Sequence, residues 1–356
     1  MRAIITFFIL FACLPVMAAQ SVESTVDKRV ELLSVIFRLA GNPEYNMKFA
    51  KNYISDINLY FEKYKGHPVI GFAKELNKEK GIGFSKVMFL AVDLEYKNNR
   101  FSLIKQSENS LVNMWDMEDA LKFVDLANDF YKTSKFEVFF NNHKSMYTEA
   151  TKRFDEAVAD FDQQWYFDYY GDHDAEYKMV IGIANGGANY GPHVKPVGHK
   201  KLIYAIMGSW SFNAQGKALF PKEEYLPYLV HEFNHSFINH ILEEDGNEAA
   251  LQTAGEILLN DQREAMRLEA YEDWQGVINE SLVRASVVRY MIDHKDKDEA
   301  VQEEISKQVK KGFLWTKELV ALLGEYESSR DKYPTFKSFY PRIITFFKTT
   351  ADHIKQ

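Results

Sequence analysis

Three of the chain's ten histidines fall in one apolar stretch, "YLPYLVHEFNHSFINHILEED", residues 225–245. His231 and His235 are four positions apart. On an α-helix that separation is about 400°, so the two rings share a face, one turn from each other. Two imidazoles so placed can hold one zinc ion. Glu232 follows the first histidine and is the expected general base toward a water at the open coordination position. Leu229, Val230, Phe233, Phe237, Ile238 and Ile241 predict a buried helix around them. Polar side chains in such a helix need a partner. Pro227 is expected in the first turn, where its missing N–H does no harm.

A zinc site needs a third protein ligand. His240 lies nine residues after His231, about 900° around the axis, so it faces the opposite way. It is expected to serve the end of the helix or a polar pocket. Glu248, Glu256, Glu264, Glu269 and Glu272 stand in charged, amphipathic surroundings and read as solvent-facing. Glu280 differs, because "WQGVINESLVRASVVRYM" surrounds it with Val277, Ile278, Leu282, Val283 and Val287. A carboxylate in a buried helix calls for a cation. Zinc is one candidate; Arg284, at i+4 on the same helix, is the other. Glu280 is taken as the third ligand.

Upstream, "NGGANYGPHV" at 185–194 follows a strand-like run. Its glycines permit close backbone approach, which suits the rim of a substrate cleft, and it also reads as a plain turn. Asn189 is expected near substrate. Tyr190 or His193 is expected to donate to an oxyanion, with Tyr271 and Tyr290 as rivals.

These side chains need a scaffold. Residues 20–169 read as a helical lobe. Val30, Leu33, Val35, Ile36 and Leu39 have near-helical spacing, and a long helix is expected over 144–165. From Tyr170 the pattern becomes β-branched, with strand candidates in "EYKMVIGIA" and "KLIYAIMGSW". Residues 170–356 are expected to form the core that carries the motif, with a helical C-terminal tail. The fold class is α+β, mostly α, with a small sheet.

Composition narrows the function. The net charge is −8 and no basic block stands out, which argues against a nucleic-acid partner. Residues 1–19, "MRAIITFFILFACLPVMAA", have Arg2, an apolar run and small residues at the end. They read as a signal peptide, so a secreted, periplasmic or envelope location is expected, with no membrane span afterwards. Cys13, the only cysteine, lies inside that segment. "LFAC" fits a lipoprotein box less well, because of Phe11.

The pairing of His231, Glu232 and His235 with a downstream helical Glu280 resembles the gluzincin class of zinc metallopeptidases. That resemblance implies a zincin-like catalytic core, zinc on two histidines and a glutamate, Glu232 activating water, and a peptide or protein substrate bound along an edge strand. Several gluzincins place an aspartate one turn after the ligand glutamate; here Arg284 stands there. The resemblance therefore leaves Arg284 to hold a substrate carboxylate or Glu280 itself. "YLVHEFNHSFIN" with "NESLVRA" also resembles a family of secreted bacterial proteins known only as a domain of unknown function, which implies no activity. The competing expectation is a secreted helical binding protein with a structural or vestigial zinc site.

Overall fold

The computed structural model describes residues 22–104, 107–108, 111, 114–244 and 246–355. The expected signal peptide and Cys13 lie outside them. Among the described residues no helix is long and apolar enough to cross a membrane.

The N-terminal part contributes helices α1 (Lys28–Ala40), α2 (Lys51–Phe61), α3 (Pro68–Lys80), α4 (Phe84–Val92), α5 (Met117–Thr133), α6 (Phe136–Asn142), α7 (Lys144–Ala157) and α8 (Gln163–Tyr170). It is not helical throughout. It also supplies β1 (Ser24–Thr25), β2 (Leu94–Lys97), β3 (Arg100–Leu103) and β4 (Ser107–Glu108). β2 and β3 form a hairpin whose two loop residues, Asn98 and Asn99, have φ of 53° and 60°. Asparagine tolerates that left-handed geometry, which matches the right-handed strand twist. β1 and β4 are two residues long and acquire strand character only from their partners. The helix expected over 144–165 is broken between α7 and α8. There Asp162 accepts the N–H groups of Gln164 (2.8 Å) and Trp165 (3.2 Å) and starts a new helix.

The central sheet is mixed. β5 (Ala175–Gly182) pairs in parallel with β7 (Lys201–Gly208) along its whole length. β6 (His193–Pro196) lies antiparallel on the other side of β7. β1 extends β5, and β4 extends β6, giving the order β1-β5-β7-β6-β4. A small hairpin, β8 (Ser211–Phe212) and β9 (Ala218–Leu219), leads into α9 (Lys222–Leu242). Then come α10 (Asn247–Asp261), α11 (Arg263–Leu268), α12 (Trp274–Asp293), α13 (Asp298–Lys310), α14 (Thr316–Glu327) and α15 (Phe336–Ile354).

α9 packs on both β7 and α12. It begins at Lys222, so Pro227 sits in its second turn, deeper than expected, and the Glu223 carbonyl loses its usual i+4 donor. Three contacts fix the helix. Tyr166 donates to the Val230 carbonyl (3.0 Å). The fully buried Asn234 accepts from Tyr170 (2.9 Å) and donates to the Val283 carbonyl of α12 (3.2 Å). Gly191 lies so close that a Cβ there would stand 2.1 Å from the Glu232 carbonyl oxygen. Any larger residue would force the glycine-rich segment off the helix.

Candidate metal centre

Because α9 and α12 pack side by side, their facing residues meet. His231 and His235 bring their Nε2 atoms to 3.1 Å from each other. Glu280 places Oε1 3.3 Å from His235 Nε2 and Oε2 3.6 Å from His231 Nε2. All three ligand atoms lie within 4.8 Å of one another. Tetrahedral zinc with bonds of about 2.0–2.1 Å has ligand–ligand edges of about 3.3 Å. The 3.1 Å Nε2–Nε2 and 3.3 Å Oε1–His235 separations match that value, while the 3.6 Å contact to His231 comes from the other carboxylate oxygen, so two imidazoles and one carboxylate suit a zinc ion in chemistry and stand close to its size.

The ligands are oriented from behind. His235 Nδ1 lies 3.2 Å from Asn239 Oδ1. The amide oxygen only accepts, so Nδ1 carries the proton and Nε2 keeps its lone pair toward the shared point. Asn239 was missed in the sequence reading, although its i+4 spacing from a ligand histidine was a usable signal.

Arg284 holds Glu280. Its Nε donates to Glu280 Oε2 (3.0 Å), its Nη1 to Gln308 Oε1 (2.6 Å) and its Nη2 to the Tyr271 hydroxyl (3.0 Å). The guanidinium also lies over the Phe313 ring at 4.7 Å. Each guanidinium nitrogen is thus engaged, and the arginine is held on Glu280. Gln308, on α13, carried no signal in the sequence pattern.

The electrostatics agree with this arrangement. Burial works against the Glu280 carboxylate, but positive charge on His231, when it is protonated, and on Arg284 outweighs it and brings its pKa down to about 2. Arg284 is the cation that persists when both imidazoles are neutral. Burial pushes His231 well below its usual value, against the pull of Glu280, so it stays neutral and able to ligate. Glu232 is only 6 % exposed and makes no hydrogen bond or ion pair among the described residues. Burial, then the Glu280 charge, push its pKa well up, with Arg284 opposing. A cation on the three ligand atoms acts in the opposite direction.

The other expected site residues divide. Tyr271 stands at the centre, bound to Arg284 and acting on Glu280. Tyr190 neighbours Glu232, Glu44 and the Tyr45 hydroxyl, but its own hydroxyl is sealed from solvent without a hydrogen bond of ordinary geometry. Asn189 accepts the Gly208 N–H (2.9 Å), pinning the glycine-rich segment to the end of β7. Tyr290 is elsewhere, accepting the Asp162 N–H (2.7 Å) and stacking on His294. His193 is brought to Lys201 and His240 instead of the three ligands. Its strand runs past the reverse side of α9, where His240 also lies.

Residues 22–346 match the family described as Domain of unknown function (DUF4932). The match covers most of the chain, and the chain belongs to that family. No curated protein and no solved structure matches it.

Proposed function

We propose that this DUF4932 protein is a zinc-dependent hydrolase, a peptidase of the gluzincin kind, exported with the help of residues 1–19. The observation that carries the proposal is the grouping of His231, His235 and Glu280, whose ligand atoms lie within 4.8 Å of one another, with Glu232 beside His231 on the same helix. The zincin-like reading draws support from a mixed sheet with an antiparallel strand, followed by one helix bearing the histidine pair and a second bearing the acid.

Zinc, when bound, supplies Lewis-acid polarisation of a carbonyl and makes water more acidic. The Glu232 carboxylate takes the proton from the attacking water and passes it to the leaving amine. Tyr271, whose hydroxyl adjoins Glu280 and accepts from Arg284, is the tyrosine we assign to stabilise the developing oxyanion. Arg284 holds Glu280 in its carboxylate form and in one rotamer. The cavity beside His231 is about 20 Å³, room for a single water. That tightness also favours the second reading, a structural metal centre in a binding protein.

Glu232→Gln separates the two. The variant keeps size and hydrogen bonding but loses the base. The expected result is one zinc per chain and an unchanged melting temperature, with turnover on peptides from a library digest reduced about 10²-fold or more. A wild type that cleaves nothing, or a variant that cleaves equally well, leaves the structural centre.

A further inference from the structure

On α9, Glu224, Tyr228, His231 and His235 fall at about 0°, 40°, 340° and 20° around the axis, a single stripe. Tyr228 and Lys307 line both the narrow cavity at His231 and a larger cleft of about 630 Å³. The cleft therefore adjoins the narrow cavity at His231. Met47 and Phe84, 48 % and 57 % exposed, stand on its walls. Its glycine-rich floor is kept bare by close packing: a Cβ on Gly187 would meet the Phe49 ring at 2.8 Å and Trp210 Cβ at 3.4 Å.

The charge in this cleft is unbalanced. Glu44, Glu223 and Glu224 line it, and none of them forms an ion pair among the described residues. Lys307, at the metal end, pairs with Glu304 (3.2 Å). Glu44 is more than nine-tenths buried. Its Oε1 accepts from Asn42 Nδ2 (3.1 Å) and the Phe84 N–H (3.2 Å), while its Oε2 takes no hydrogen bond among the described residues. A carboxylate oxygen free of protein partners at the wall of an open cleft is available to a cationic side chain. Glu224 likewise has one oxygen on Trp210 Nε1 (3.2 Å) and the other uncommitted. First-turn acids suit a helix N-terminus, which accounts for Glu223 and Glu224 in part. It does not account for Glu44, which comes from a separate segment.

We propose that the cleft binds an extended peptide through a lysine or arginine side chain, its charge on Glu44 and Glu224 and its aliphatic stem on Phe84 and Trp210. Glu224 precedes His231 by seven residues, about 10.5 Å of helix rise. An extended peptide covers that distance in about three residues. The basic residue therefore stands about three positions from the bond at the centre. This last step rests on the hydrolase reading; the binding step does not.

Two measurements keep these apart. The first is binding of an end-blocked pentapeptide with one central lysine, against the same peptide with norleucine, to zinc-loaded Glu232→Gln protein, followed by Trp fluorescence. The lysine peptide is expected to bind about tenfold more tightly. Glu224→Gln, at an exposed position where folding is safe, and Glu44→Gln should each remove most of that preference while leaving the norleucine peptide unchanged. Equal binding of the two peptides, or a preference that survives both substitutions, overturns the proposal. The second measurement is a library digest by the wild type, read by mass spectrometry. Enrichment of lysine and arginine about three positions from the cut bond is expected, and cleavage without basic enrichment overturns the proposal. Lysine-selective binding with no cleavage at all upholds the cleft and overturns only the hydrolase reading.

Discussion

At the residue scale, the candidate centre consists of His231, His235 and Glu280 and the groups that aim them. Glu280 contributes one oxygen toward His235 and rests the other on Arg284, so a single carboxylate serves as both ligand and anchor. Zinc affinity should therefore depend on Glu280 and, through His235, on Asn239, but not on His240. Glu280→Gln is expected to weaken zinc binding by more than 10²-fold. Asn239→Ala is expected to cost about 10- to 100-fold, the usual effect of an outer partner. His240→Ala should stay within about twofold. Competition against a chromophoric chelator measures all three. If His240→Ala loses zinc while Glu280→Gln retains it, the ligand set is wrong.

At the element scale, α9 has two polar faces with opposite tasks. One carries the candidate ligands His231 and His235. The other brings His240 near Lys201 and His193, and Lys201 donates to the Ser236 carbonyl. Burial first, then the Lys201 charge, lower His240 to about 4 and His193 to about 3. Both are below the ordinary histidine value, so in this window the unfolded chain binds more protons than the folded one. Stability is then fully present above about pH 6.5 and falls as the pH drops toward 4, by about 1.4 kcal/mol per pH unit for His193 and by less for His240, whose side chain is 40 % exposed and screened by solvent. Urea unfolding between pH 7 and 4.5 should show this loss. His240→Gln should reduce the slope measurably, by less than one proton's worth. An unchanged slope in the variant would mean that His240 is not held neutral by the fold. Because this face is remote from the ligands, its titration is separable from zinc release by repeating the series with Glu280→Gln.

At the scale of the whole molecule, the N-terminal part and the part carrying the motif share structure. Ser24 and Thr25 pair with Met179 and Val180. The buried Glu31 of α1 accepts the N–H groups of Ile183 (2.8 Å) and Ala184 (3.2 Å), just before the glycine-rich segment, and the Tyr53 hydroxyl (2.8 Å). One apolar core runs from Val30 to Ala351. A chain of residues 22–169 alone would leave β1, β4 and the Glu31 carboxylate without their partners. It is expected to show no cooperative thermal transition by circular dichroism, whereas the full chain melts as one unit. A sharp transition in the fragment would mark it as an autonomous domain. What the sequence by itself determined follows from local periodicity and burial. The shared face of His231 and His235, the opposite face of His240, and the need of Glu280 for a cation are consequences of a 3.6-residue turn and of the high energy of an unpaired buried charge. The mostly helical character was legible for the same reason. Other outcomes waited on tertiary structure, because they depend on which elements become neighbours through long-range pairing. That pairing joined Arg284 to Gln308, drew His193 to the back of α9, closed Tyr190 off, brought Tyr271 to the ligand residues, and made strands of two-residue segments that have no pattern of their own.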